Sequence, residues 1–183
     1  MTRRWETLLE EVARDRWARL VTHATFVSGS RADAPDLVQE ALISVFAGRA
    51  RFTTADKAEA YLRRAIASRA VDASRRRLRE SHALRRVHAL PVVETTVEER
   101  GPGADLVRAL ATLAPRERAC VVLRQMDDLS VADTAATLGL SEGAVKRYTA
   151  DGLTRLAAAL GGAAPDGAET MTVRTTTEVH RER

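Results

Sequence analysis

The stretch DLSVADTAATLGLSEGAVKRYTADGLTRLAAAL, residues 128–160, decides how the whole chain is read. Ser130 is placed to cap a helix over Val131 to Thr137 by accepting a bond from an orphan backbone N–H. Gly139 stands where a chain leaving that helix needs a left-handed residue, which costs a glycine little. Ser141 then caps a second helix whose inner side is expected to carry Val145, Leu153, Leu156 and Leu160. The offsets are specific: Ala135 lets two helices cross closely, Gly139 makes the turn, and Val145 fills the angle between them. That is the specification of a helix-turn-helix, whose second helix offers its first side chains to the major groove of DNA. Lys146, Arg147 and Tyr148 occupy that exposed edge. An ordinary helical hairpin would share the alanine-rich helices and the glycine turn.

Charge limits what such a reader can do alone. Between Arg116 and Leu160 six basic residues, Arg116, Arg118, Arg124, Lys146, Arg147 and Arg155, face six acids, Glu117, Asp127, Asp128, Asp133, Glu142 and Asp151. Phosphate neutralisation supplies most non-specific DNA affinity, so a neutral reader should grip DNA poorly without help.

The full chain has 183 residues, 45% of them apolar and 4% aromatic, enough for real cores and better suited to helices than to a sandwich or barrel. It contains neither an apolar run long enough to span a bilayer nor the apolar core of a signal peptide near its start, which leads to the expectation of a soluble, cytoplasmic protein without membrane insertion. Cys120 is the single cysteine, so no internal disulfide or thiolate cluster is expected, and its apolar neighbours Ala119 to Leu123 predict a buried, inert thiol. The histidines have no metal-ligand spacing. No catalytic triad, phosphate-binding glycine loop or paired-carboxylate site is evident, so neither a metal, a cofactor nor enzymatic activity is expected.

The net charge of +4 is concentrated locally. Residues 61–90 hold nine arginines, Arg63, Arg64, Arg69, Arg75, Arg76, Arg77, Arg79, Arg85 and Arg86, against Asp72 and Glu80. Such clustering suits a polyanion, although a solvated basic helix face would look the same. Before it, Trp5, Leu8, Leu9 and Val12, then Trp17, Leu20, Val21 and Ala24, follow helical spacing over residues 4–28 as one broken helix or two short ones. Asp33 is a plausible cap for a helix from Pro35 to Ala47, ending at Gly48, with Leu37, Ala41, Leu42, Val45 and Phe46 inward and Asp36, Gln39 and Glu40 outward. A third helix from about Asp56 turns Leu62, Ile66, Ala70 and Ala73 inward, then frays into a basic tail. Residues 87–104, with Pro91, several glutamates and Gly101-Pro102-Gly103, read as a linker. Helices resume with Leu106, Leu110 and Leu113, then from Pro115 with Val121, Val122 and Met126 inward. The end, 161–183, lacks periodicity and is expected to be disordered. The fold class is therefore all-α: two small helical domains, 1–86 and 105–160, on a flexible linker, the second ending in the helix-turn-helix.

Taken together, Asp36-Leu37-Val38-Gln39-Glu40, Tyr61-Leu62-Arg63-Arg64 running to Val71-Asp72-Ala73-Ser74-Arg75-Arg76-Arg77, Leu113-Ala114-Pro115-Arg116-Glu117-Arg118 and Leu138 to Lys146 resemble a bacterial sigma factor of the extracytoplasmic-function group. The likeness runs over about residues 5–160, with the blocks in family order. It implies a promoter-specificity subunit, not an enzyme, that binds core RNA polymerase and promoter DNA and is open to control by an anti-sigma factor. Asp36, Leu37, Gln39 and Glu40 match the core-docking surface. Phe52, Arg63, Arg64, Ser68, Arg69, Arg75, Arg76 and Arg77 match the part that engages the minus-ten element, where a base leaves the stack for a protein pocket. Ser141, Ala144, Lys146, Arg147 and Tyr148 match the minus-thirty-five reader, and the linker matches the segment threading toward the polymerase active site.

This chain also departs from the family. Ser68 stands where asparagine is usual, Tyr148 and Asp151 where arginine is frequent, and Thr149 where leucine is. Gly152 weakens its helix by about 1 kcal/mol relative to alanine. Two other functions fit parts of the pattern: an autonomous, dimeric helix-turn-helix regulator, and a protein-binding module that sequesters a sigma factor. The first leaves the separate basic helix without a task, and the absence of a cysteine-histidine zinc motif removes one common form of the second.

Overall fold

The computed structural model describes residues 4–48, 51–87 and 103–161, all in helices or their connections. Eight helices follow one another among these residues: α1 (Arg4–Asp15), α2 (Trp17–Ser28), α3 (Ala34–Ala47), α4 (Ala55–Val87), α5 (Ala104–Ala111), α6 (Pro115–Gln125), α7 (Val131–Leu138) and α8 (Glu142–Gly161). Most of the expected linker and nearly all of the expected tail lie outside the described residues.

The first unit is built by the periodicity of its helices. Leu9 and Val12 of α1, Leu20 of α2, Val38 of α3 and Leu62 and Ile66 of α4 are fully buried together. The break between α1 and α2 falls at Arg16, whose guanidinium leaves both helices to meet Asp56 at 2.6 Å and Glu59 at 2.5 Å. Helix α4 continues well past the point where fraying was expected, and its basic stretch from Arg75 onward is helical through Val87. Asp33 heads α3 but makes no side-chain cap; its carboxylate instead accepts from Arg77 at 2.6 Å. A charged partner on a neighbouring helix holds that carboxylate more strongly than an orphan N–H would.

In the second unit the helix-turn-helix forms as the spacing requires. The Ser130 hydroxyl accepts from the Asp133 amide at 3.0 Å, Gly139 is left-handed at φ 61, and the Ser141 hydroxyl accepts from the Ala144 amide at 3.2 Å. Ala135, Val145 and Cys120 close a small core, with Tyr148 packed at its edge. Burial pushes the Cys120 thiol up to about 11, so it stays protonated and inert.

The inner stripe of α8 differs from the sequence expectation. Gly152 is buried and Leu156 half-buried, whereas Leu153 and Leu160 are each 38% exposed. The stripe therefore runs Val145, Thr149, Gly152, Leu156. The absence of a side chain at Gly152 lets α8 approach α6, and Glu117 of α6 binds Arg155 of α8 at 2.8 Å alongside it. Met126 and Phe46, both expected inside, are exposed at 45% and 38%; Val38 takes the interior place on α3.

The two units pack against each other. Helix α6 contacts α8 on one side and α2 and α4 on the other, and α7 also lies against α4. Leu110, Val122, Leu123 and Leu129 join the same buried cluster as Leu20, Leu62 and Ile66. Each such leucine contributes about 1.5–3 kcal/mol, as an upper bound, to holding the seam. At its centre Arg118 is 6% exposed and donates Nε to the Val27 carbonyl at 2.9 Å. Its Nη1 reaches the carbonyls of Leu110 and Leu113 at 3.3 Å and of Ala111 at 3.5 Å. A cation thus satisfies the exposed carbonyl ends of α2 and α5 at once. Burial, and secondarily Arg77, lowers Arg118 to about 10, still charged at neutral pH.

Candidate nucleic-acid interface

Three surfaces carry the residues singled out from the sequence. On α3, Asp36, Gln39 and Glu40 are exposed on one face, and the same face continues through Ile43, which is 69% exposed. Leu37, the fourth residue matched to that surface, is 5% exposed and packs in the core beneath this face.

On α4 the basic residues divide by partner. Arg64, Arg75 and Arg76 are exposed. Arg77 is tied to Asp33, while Arg69 lies 4.0 Å from Glu40 and Arg75 3.9 Å from Asp72. Arg63 is committed elsewhere: Nη1 donates to Asp127 at 2.9 Å and Nη2 to Glu59 at 2.8 Å. Burial would raise the Glu59 carboxyl, but hydrogen bonds from Arg16 and the neighbouring Arg63 hold it below the usual carboxylate range. Arg63, which the resemblance places among the minus-ten residues, is here engaged by Asp127 of the second unit.

Phe52 is buried and meets the ring of Tyr61 edge-on, centroids 5.3 Å apart. Tyr61 is 45% exposed and its ring lines two cavities with Ala65 and Ser68. One, of about 270 Å³, lies toward the end of α3 and is completed by Ser44, Val45, Gly48, Arg69 and Asp72. The other, of about 330 Å³, lies between α4 and α7 and is completed by Arg64, Asp133, Ala136 and Thr137. Either cavity is large enough for a planar ring, and the half-exposed Tyr61 borders both. Tyr61 was not singled out as a site residue; in the structure Phe52 meets its ring and Ser68 lines the same two cavities.

At the start of α8, Lys146 and Arg147 are exposed, as are Ser141 and Gly143, while Ala144 and Tyr148 are half-buried. The Arg147 guanidinium lies 5.1 Å from the centre of the Tyr148 ring. A hydrogen bond from Arg116, then one from Arg147, pulls the Tyr148 phenol below its ordinary value. Tyr148 thus serves as a prop between the α6 start and Arg147. This edge has backbone and side-chain donors but little excess charge, the chemistry of base-edge contact more than of phosphate grip.

Sigma-70 region 2 matches residues 12–80, and sigma-70 region 4 matches residues 104–156. The RNA polymerase sigma-E factor of Streptomyces coelicolor is 36% identical over 149 residues, which cover 80% of this chain and 82% of that one. The ECF RNA polymerase sigma factor SigM of Mycobacterium tuberculosis is 33% identical over 167 residues, covering 85% and 84%. This chain belongs to the extracytoplasmic-function sigma-70 family. A solved structure of the sigma factor RpoE from Bartonella quintana, in complex with the anti-sigma factor NepR, shares the fold at a TM-score of 0.59 and 22% identity, covering 83% of this chain and 96% of that one.

Within this sigma factor α4 packs against α6 and α7 of the second unit, and α3 contacts only helices of the first. Among the described residues no group of histidine, cysteine or acidic side chains is arranged to hold a metal, and no helix is long and apolar enough to cross a membrane.

Proposed function

We propose that the chain is the sigma subunit that brings core RNA polymerase to its promoters, with its tasks divided among three faces. The exposed Asp36, Gln39, Glu40 and Ile43 of α3 dock on the core; a face of three polar groups around one apolar side chain has the make-up of a hot-spot rim and centre. Helix α4 holds the melted minus-ten strand, with Arg64, Arg69, Arg75 and Arg76 on the backbone and Tyr61 and Ser68 at an unstacked base. Lys146 and Arg147, set by the Ser141 cap, read the minus-thirty-five duplex. Polymerisation chemistry belongs to the core, and an anti-sigma protein covering α3 would compete with it.

The observation that carries this reading is the neutral reader unit. Its exposed Lys146 and Arg147 are well placed for base edges, yet the unit as a whole has no excess positive charge to retain DNA. Retention must come from another molecule, which the docking face on α3 supplies. The test is transcription from a library of randomised promoters. Discrete start sites are expected only when chain and core are both present, and Glu40→Lys should reduce core binding about tenfold, the effect of reversing one interface charge. Tight, sequence-specific binding to duplex DNA by the chain alone would overturn this reading in favour of an autonomous regulator.

A further inference from the structure

We propose that Tyr148 is a positioning residue for base recognition, holding the Arg147 guanidinium at the exposed edge of α8 without touching DNA itself. It thereby sets how sharply the chain discriminates at one base of the upstream element. The inference rests on the reading of the α8 start as the minus-thirty-five reader.

An arginine on an open helix edge is a poor reader on its own. Its long side chain samples many rotamers, and binding must pay to fix one of them. Tyr148 removes part of that cost beforehand. Its ring is half-buried and packs at the edge of the small core of Cys120, Ala135 and Val145, so it is anchored from beneath. A second tie comes from α6, where Arg116 donates a hydrogen bond to the phenol oxygen. The Arg147 guanidinium lies 5.1 Å from the centre of this fixed ring, within cation–π range, and also donates to the phenol.

The competing partner is Asp151. It is exposed and stands four residues after Arg147, the spacing at which side chains on a helix meet. A guanidinium drawn to that carboxylate would be neutralised and turned along the helix, away from a base edge. The Tyr148 ring holds Arg147 instead. Arg147 stays exposed, so its remaining N–H groups keep the fork geometry that pairs with a base edge presenting two acceptors.

The test is transcription by the full-length chain with core on a template library randomised across the upstream element. The base read by Arg147 is the position whose preference is lost in Arg147→Ala. At that position Tyr148→Leu, which keeps apolar packing on the small core but has no aromatic face, should weaken the preference about 2–5-fold, the range of one exposed cation–π contact. Tyr148→Phe keeps the ring and should retain most of the preference. In the Arg147→Ala background, Tyr148→Leu should change nothing further there. If thermal unfolding shows Tyr148→Leu misfolded, Tyr148→Met takes its place. NMR of the free chain gives a second readout: the Arg147 Nε–H signal, assigned by its disappearance in Arg147→Ala, should be shifted by the ring current in the wild type and Tyr148→Phe, and return to its ordinary position in Tyr148→Leu. Equal preference in the wild type and Tyr148→Leu would overturn the proposal. So would a further loss in the Arg147→Ala background, which would put Tyr148 on the DNA itself. Failure of the underlying reading looks different: Arg147→Ala would leave every upstream preference intact, refuting the role of the α8 edge and this inference with it.

Discussion

Gly152 of α8 lies so close to Val121 of α6 that a Cβ built on it would meet Val121 Cγ2 at 2.7 Å, with Leu113 Cδ2 at 3.3 Å and Glu117 Cβ at 3.4 Å. Helix propensity alone favours Gly152→Ala by about 1 kcal/mol. The overpacking costs about 1–3 kcal/mol, and Val121 is itself locked in the core, so the contact wins. Thermal unfolding should show Gly152→Ala less stable than the wild type; an equal or higher midpoint would mean that α8 can move away from α6 at no cost.

Arg118 serves four carbonyls across the seam and has no carboxylate partner among its hydrogen bonds. Arg118→Leu would leave the Val27 and Leu113 oxygens buried without this donor, Leu110 keeping the Leu113 amide, and would destabilise the fold by about 2 kcal/mol or more. Arg118→Lys keeps the charge but cannot span the same carbonyls, so its loss should be intermediate. Urea unfolding of the three proteins gives the order, and an unchanged midpoint for Arg118→Leu would refute the role.

The exposed pair at the start of α8 should behave in the opposite way. Lys146→Ala and Arg147→Ala should leave unfolding and core affinity unchanged while weakening promoters that depend on the upstream element, each by about 1–3 kcal/mol of recognition. Abortive transcription with core, on templates with and without that element, is the measurement. Equal losses on both templates would point to a role outside upstream recognition.

His23 is 4% exposed, with one ring nitrogen 3.2 Å from the Arg63 carbonyl and the other facing Asp127. Burial lowers its pKa below the ordinary value, outweighing the attraction of Asp127. Above about pH 6.5 both folded and unfolded chains hold it neutral, and it costs nothing. As the pH falls through that value the unfolded chain gains a proton that the folded chain refuses, so stability drops, by at most about 1.4 kcal/mol per pH unit. Urea titrations at pH 7.5 and 5.5 should show this drop in the wild type and a shallower one in His23→Gln. Parallel slopes would assign the acid sensitivity elsewhere.

Much of this protein was readable along the chain because the forces involved act over a few residues. The Ser130 cap, the left-handed Gly139, the Ser141 cap and the burial of Val145 all follow from bonds and contacts within one or two helical turns, and each appears where its spacing puts it. The exposed polar face of α3 and the placement of Lys146 and Arg147 follow from the 3.6-residue period in the same way.

Other features depend on which helices meet. Periodicity could not distinguish Leu153 from Gly152 as the inward residue of α8, because the answer lies in how near α6 comes. Phe46 and Met126 are apolar at plausible interior positions, yet both are exposed among the described residues. Arg63 reads as one more member of a basic helix, and its ion pair with Asp127, 64 residues away, exists only because the two units fold onto each other. Local bonding is written in neighbouring residues; the choice of a distant partner is made by packing the whole chain, where burial and charge are settled between elements that the sequence leaves far apart.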